Sequence, residues 1–250
     1  MPETQKLPSL KGRVKELEGI YRIATTEITS VLSHFDIRNY QELKVMRAEE
    51  KIDVIIKGLN RSVVKWSRVA IPEAYQKSVD VSRTRLEILG AEKDDEFPPM
   101  THKNSIDNEI DETIDVLVRA NMSIRPNVAI YFYLARQAHF DIMQVQEFSI
   151  ADDELFASMS VQIIAEGGTR QELAKLIRRR LTEELGEGKF IVIKGRNYDM
   201  VKYSRMVART RMREVQSEAI KNMGKQFGND LVEISSHVVE AADDVCNDYD

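Results

Sequence analysis

The sequence predicts a mainly α fold, with an N-terminal helical bundle followed by a helical C-terminal module that carries a small β element (α+β). Three observations predict it. Apolar residues recur at spacings of three and four through most of the front half. β-branched runs flanked by turn residues are confined to two short stretches, Lys189 to Lys194 and Leu231 to Ser235. An apolar fraction of 42 % in 250 residues is enough for a sizeable core.

Each element follows from its own pattern. Leu10, Val14, Leu17, Tyr21, Ala24, Ile28 and Val31 alternate spacings of four and three, placing them on one stripe of a first helix. Such a stripe suits an amphipathic bundle helix, and as a heptad seam it also offers a route to homo-oligomers through the N-terminal helix. A second helix is expected from about Tyr40 to Leu59, with Leu43, Met46, Ile52, Ile55 and Ile56 apolar. A third runs from Val63 to Leu89, interrupted near Pro72, where proline removes a backbone donor. Three helices with short connections make an antiparallel bundle over residues 1–90.

Charges and a Pro-Pro pair without periodic apolar residues mark 91–104 as a linker. Ser105 then reads as the N-cap of a helix carrying Ile106, Ile110, Ile114 and Leu117. Pro126 breaks or restarts the pattern. Beyond it Val128, Tyr131, Phe132, Ala135, Ala138, Ile142 and Val145 share one stripe of what should be the most buried helix. Its aromatic residues read as core rather than a cofactor box. These central helices occupy 105–164. In 165–250 a Gly-Gly turn precedes a helix with Thr169 as N-cap and Glu172 three positions on, a capping box. The two β-like stretches would suit one small sheet.

Charge is uneven. The net value is −5, yet residues 165–230 hold fifteen Lys/Arg against nine Asp/Glu, and residues 231–250 hold six acids and no Lys or Arg. Arg205, Arg209 and Arg213, spaced by four, form a positive stripe on one helix face that could meet a partner or a DNA backbone. Arg178, Arg179 and Arg180 could extend it. The plainer reading is a solvated, salt-bridged face. Phe190, Tyr198, Tyr203 and Phe227 are not grouped as a stacking platform, so DNA contact would carry no sequence specificity.

Catalytic patterns are weak. Cys246 and His237 could pair as nucleophile and base, but Asp243, Asp244, Asp248 and Asp250 surround the thiol and disfavour a thiolate. His34, His102 and His139 form no metal-ligand pair. GEGKF, at Gly186 to Phe190, lacks the spacing of a phosphate loop, and DDVCNDYD lacks the pattern of a calcium loop. The expectation is therefore no enzyme, no cofactor and no metal. A lone cysteine excludes an internal disulfide and fits a reducing compartment. No apolar run is long enough to span a bilayer, and the polar start MPETQKLPSLKGR has no secretory core, which points to the cytoplasm as the place of synthesis and to no membrane partner in the free state.

The run from Ala165 to Asp250 carries a resemblance. IIAEGGTRQELAKLIRRRLTEEL, then Ala208-Arg209-Thr210 at the start of a helix closing near Gly224, then LVEIS and Asp243-x-x-Cys246, resembles the Mu F-like head morphogenesis segment of tailed-phage minor capsid proteins. The likeness covers roughly the last third of the chain. Tyr249 stands where the family has a second Cys, so a family zinc site is not expected, and the Mu F-like module reads as ending early at Asp250. Arg211 stands where many relatives carry an acid. The resemblance implies a minor structural protein of a tailed-phage head, located in the virion at or near the portal vertex. It implies a role in head morphogenesis, with passage of DNA or of the protein during packaging or ejection, and portal or major capsid proteins as partners. A basic helical nucleic-acid-binding protein is the alternative from charge alone, and a Cys246–His237 hydrolase is a second.

Overall fold

The protein was studied as a computed structural model that describes residues 10–35, 40–93, 97–98, 100–144 and 188–228. Among the described residues the order is helix α1 (Lys11–Ser33), α2 (Glu42–Ile88), α3 (Thr101–Met122), α4 (Ile124–Gln144), strands β1 (Ile191–Ile193) and β2 (Arg196–Tyr198), and helix α5 (Met200–Gln226). The fold is mainly helical with one small antiparallel sheet, as the periodicity predicts.

α1 forms where the seam lies. Leu17, Tyr21 and Ile28 are fully buried, and Val14 and Ala24 nearly so. At about 1.5–3 kcal/mol for each large apolar side chain removed from water, this stripe is what holds the helix in place. The ends of the seam are looser. Leu10 and Val31 are only partly buried, and Leu32 takes the last inward position.

α2 departs from expectation. It is one 47-residue helix, and Pro72 lies inside it. The proline costs the hydrogen bond that Arg68 O would have accepted. The buried stripe nevertheless continues straight through, with Ala70, Ile71, Ala74, Tyr75 and Val79 inward on either side. Packing along the whole length of the stripe outweighs one missing bond. The helix stops where glycine permits it: Gly90 takes φ +73°, Ala91 N–H donates to Leu86 O and Gly90 N–H to Glu87 O, a Schellman closure.

α3 begins at Thr101, where Thr101 N–H donates to Pro98 O, so Ser105 is not an N-cap. Its hydroxyl instead accepts a hydrogen bond from Asn222 of α5 at 2.8 Å. The helix is entered through the backbone bond to Pro98 O, with no side-chain cap. α4 restarts directly after Ser123, and Pro126 falls in its first turn, where a missing N–H has no intrahelical partner to lose. Ile124, Val128, Tyr131, Phe132 and Ala135 turn inward, yet Ile130 and Tyr133 are exposed. Over its described side chains α4 is thus amphipathic. The side chains of Ala138 and Ile142, and residue Val145, lie outside the described residues, as does the capped segment at Thr169 and Glu172.

β1 forms from the first β-like stretch, and the second, 231–235, lies outside the described residues. β1 pairs with β2, Ile193 opposite Arg196, through a two-residue turn at Lys194 and Gly195 with φ of 50° and 77°. Two consecutive positive φ values make the tight hairpin turn whose twist matches the strands. α5 starts at Met200, earlier than expected, so Ala208-Arg209-Thr210 sits inside the helix and not at its start, and the helix runs past Gly224 to Gln226.

The core is one continuous cluster to which all five helices and β1 contribute. α5, from the last third of the chain, packs against α1, α2 and α3 of the front half. Buried polar ties set the alignment. Tyr21 donates to Asn121 Oδ1 at 2.9 Å, and Asn121 Nδ2 donates to Asn60 Oδ1 at 2.8 Å, linking α1, α3 and α2. Trp66 Nε1 donates to Arg13 O at 2.9 Å.

Candidate functional site

The sequence-predicted arginines lie on α5, which is positioned from its first residue. Asp199 caps it by accepting from Lys202 N–H at 2.7 Å. Gly188, at φ +83°, brings the chain so close that a Cβ there would lie 2.8 Å from Thr25 Cγ2 and 3.3 Å from Asp199 Oδ2. The start of α5 is thereby set beside Thr25 of α1. Ala208, further along α5, is fully buried.

The three arginines of the predicted stripe divide into two kinds. Arg205 donates from Nε to Glu18 Oε1 at 2.7 Å and from a terminal nitrogen to Oε2 at 3.0 Å. Glu18 is nearly buried, and its carboxyl sits below the ordinary 4.5, first because of the Arg205 hydrogen bonds, against the opposing effect of burial, with help from the charges of Arg205, Arg209 and Arg22. Arg205 is raised by the same pair. Arg205 is therefore a structural clamp between α1 and α5. Arg209 and Arg213 are exposed, as is Thr210.

Arg211 is the arginine whose role the sequence did not show. Its side chain is 12 % exposed and gathers Glu109, Glu112 and Glu214, at 2.8, 2.8 and 2.6 Å. It also donates to Thr113 Oγ1 at 3.1 Å. Two of these acids, Glu109 and Glu112, come from α3 and one, Glu214, from α5 itself. Glu109 remains raised in pKa because burial outweighs the attraction of Arg211, and Glu112, Glu214 and Glu218 add repulsion. Nothing in the local sequence of α5 marks this role; the signal is the acid-rich α3 segment, which had no assigned partner.

A second feature lies on the other side of α1. Between α1 and α2 runs an open groove of about 1090 Å³ lined by Ile20, Ile23, Ala24, Val54 and Ile55, with Arg47, Glu50 and Lys51 at its rim. Ile23 and Val54 are 63 % and 68 % exposed, high for branched apolar residues.

The histidines are structural where described. His102 meets Tyr75 Oη at 2.8 Å through Nδ1 and Gln226 Oε1 at 3.3 Å through Nε2. Because Gln226 Oε1 only accepts, Nε2 carries the proton and Nδ1 accepts from Tyr75. Asn222 Nδ2 completes the set by donating to Tyr75 Oη at 2.8 Å. His34 bonds Ser30 O at 2.7 Å, and His139 stacks on Tyr40.

Among the described residues no three His, Cys, Asp or Glu side chains are arranged to hold a metal, and no helix is long and apolar enough to cross a membrane. Arg178, Arg179, Arg180, His237, Asp243 and Cys246 lie outside the described residues. No family model, curated protein or solved structure matches the chain.

Proposed function

We propose that the chain is a minor structural protein of a tailed-phage head, bound at or near the portal and acting in head morphogenesis through binding rather than catalysis. The order of motifs from Ala165 to Asp250 supports the assignment to phage heads. The observation that carries the docking role is the apolar groove between α1 and α2. Its exposed Ile23 and Val54 form an anchor site, and Arg47, Glu50 and Lys51 form a polar rim. On this reading the front helices dock on portal or major capsid subunits, the protein resides in the virion, and the host cytoplasm holds it during assembly. Passage of DNA beside it during packaging or ejection belongs to the same role.

The test is co-purification of the full chain with the portal protein of the same phage. The Ile23→Glu, Val54→Glu double variant, which alters exposed positions only, is expected to lose the portal protein. A folded wild-type chain that ignores portal and major capsid protein alike would overturn the proposal. The hydrolase alternative requires Cys246 to be labelled by a soft electrophile at neutral pH, and an inert thiol removes it.

A further inference from the structure

The arginine stripe of α5 is half of a larger cationic surface. Thr25 lies beside the start of α5 at Asp199, and Glu18 lies beside Arg205, so seven residues back along α1 match six forward along α5. The helices are antiparallel, and continuing that register brings Lys15 and Lys11 level with Arg209 and Arg213. A second route agrees to within two residues, placing Arg13 level with Arg213. Trp66 of α2 bonds Arg13, and Tyr75, nine residues further along α2, meets Asn222, nine residues beyond Arg213. On α1, Lys11, Lys15 and Arg22 fall on the stripe of Glu18, the residue that faces α5. All three are exposed, as are Lys202, Arg209 and Arg213. Both carboxylates in the ties that fix the register are occupied. Glu18 is engaged by Arg205, and Asp199 by the helix end.

We propose that α1 and α5 together form a cationic strip that binds the sugar-phosphate backbone of duplex DNA without reading its sequence. Lys11 to Arg22, and Lys202 to Arg213, each span about 16 Å at 1.5 Å per residue. Along a duplex that length covers about five phosphates of one strand. Cations repeating at this interval on two neighbouring helices suit a regular polyanion better than a single anionic ligand. Duplex is favoured over single strand because Tyr203, the aromatic residue next to Lys202, is buried and Tyr198 is partly covered and packed on it, so neither offers an open face on which a base could stack. The clamp between Glu18 and Arg205 keeps the two rows in register. The proposal extends the proposed function by giving DNA a contact surface, and it stands apart from portal docking, which uses the other side of α1.

The experiment is fluorescence anisotropy of a labelled 30-base-pair duplex titrated with the full chain from 50 to 200 mM NaCl. With about four phosphates neutralised, log K should fall against log salt with a slope near −4, a loss of roughly 10²–10³-fold over that range. Arg22→Glu, Arg209→Glu and Arg213→Glu together should abolish binding, whereas the control Arg83→Glu, at an exposed position on α2, should leave it unchanged. The Arg→Gln version of the triple variant preserves side-chain size and should flatten the slope by about three. Retention of the wild-type slope by the Gln triple would overturn the proposal. So would equal competition by polyglutamate at matched charge, which would reassign the strip to an acidic protein. Portal co-purification is read separately, so loss of one activity does not mask the other.

Discussion

Replacing Arg211 with methionine should be among the most damaging single changes at a charged position in this protein. The side chain is only 12 % exposed, and methionine keeps its apolar stem while removing the charge. Glu112 and Glu214 are 65 % and 47 % exposed, so water compensates them, and their share is at most about 1 kcal/mol each. Glu109 is different. At 16 % exposure it would be left beside Glu112, Glu214 and Glu218 without the cation it pairs with. Stranding one partner of a buried pair costs about 3–5 kcal/mol. Partial solvation places the expected total near 3 kcal/mol, or a fall in Tm of about 10 °C for a chain of this size. Glu109 already has a raised pKa, and losing Arg211 raises it further. The folded state then binds more protons than the unfolded chain between the two values, so stability rises as pH falls through that window. The variant's deficit should therefore be largest at pH 7 and should shrink on acidification from the folded value toward 4.5. Adding Glu109→Gln should recover about half of it. Urea denaturation followed by circular dichroism at several pH values measures all of this. A deficit below about 0.5 kcal/mol, or one that grows toward acid, would refute the reasoning.

Tyr21→Phe should cost about 1–2 kcal/mol in the same assay, because Asn121 Oδ1 loses its buried donor. Gly188→Ala should destabilise by more than Gly195→Ala. Both have positive φ, but only at Gly188 would the new methyl meet Thr25 and Asp199, while Gly195 faces open space. Thermal melts of the two variants compare them directly. Glu18 has a lowered pKa, so its contribution is complete above 4.5 and is lost as pH falls through the folded value. Glu18→Gln should remove that part of the acid slope, which a pH series of melts on both proteins would show.

Local periodicity made much of the fold legible. The α1 seam is visible because one stripe meets one wall of neighbours, and seven spaced residues suffice to show it. Pro72 misleads because its cost is local, one missing bond, whereas the compensation is spread over Ala70 to Val79 and the helices packed on them. The distinction between Arg205, which is clamped, and Arg209, which is free of any ion pair among the described residues, could not be read locally. Spacing by four treats them alike, and only the long-range approach of Glu18, 187 positions away, separates them. Arg211 shows the same limit: its partners Glu109 and Glu112 belong to another helix. The α1 half of the cationic strip was hidden because Lys11, Lys15 and Arg22 read as the ordinary solvated face of an amphipathic helix until α5 lies beside them.

The shared core also dictates how the functional claim should be tested. Deleting the first ninety residues would strip α5 of α1 and α2, so point substitutions on the groove are the clean probe. The decisive measurement is retention of the full chain on immobilised portal protein, comparing wild type with Ile23→Glu, Val54→Glu and with the Arg22, Arg209 and Arg213 triple. The account predicts that wild type and the arginine triple are retained and the groove variant is lost. Equal retention of all three, or none for folded wild type, would contradict it.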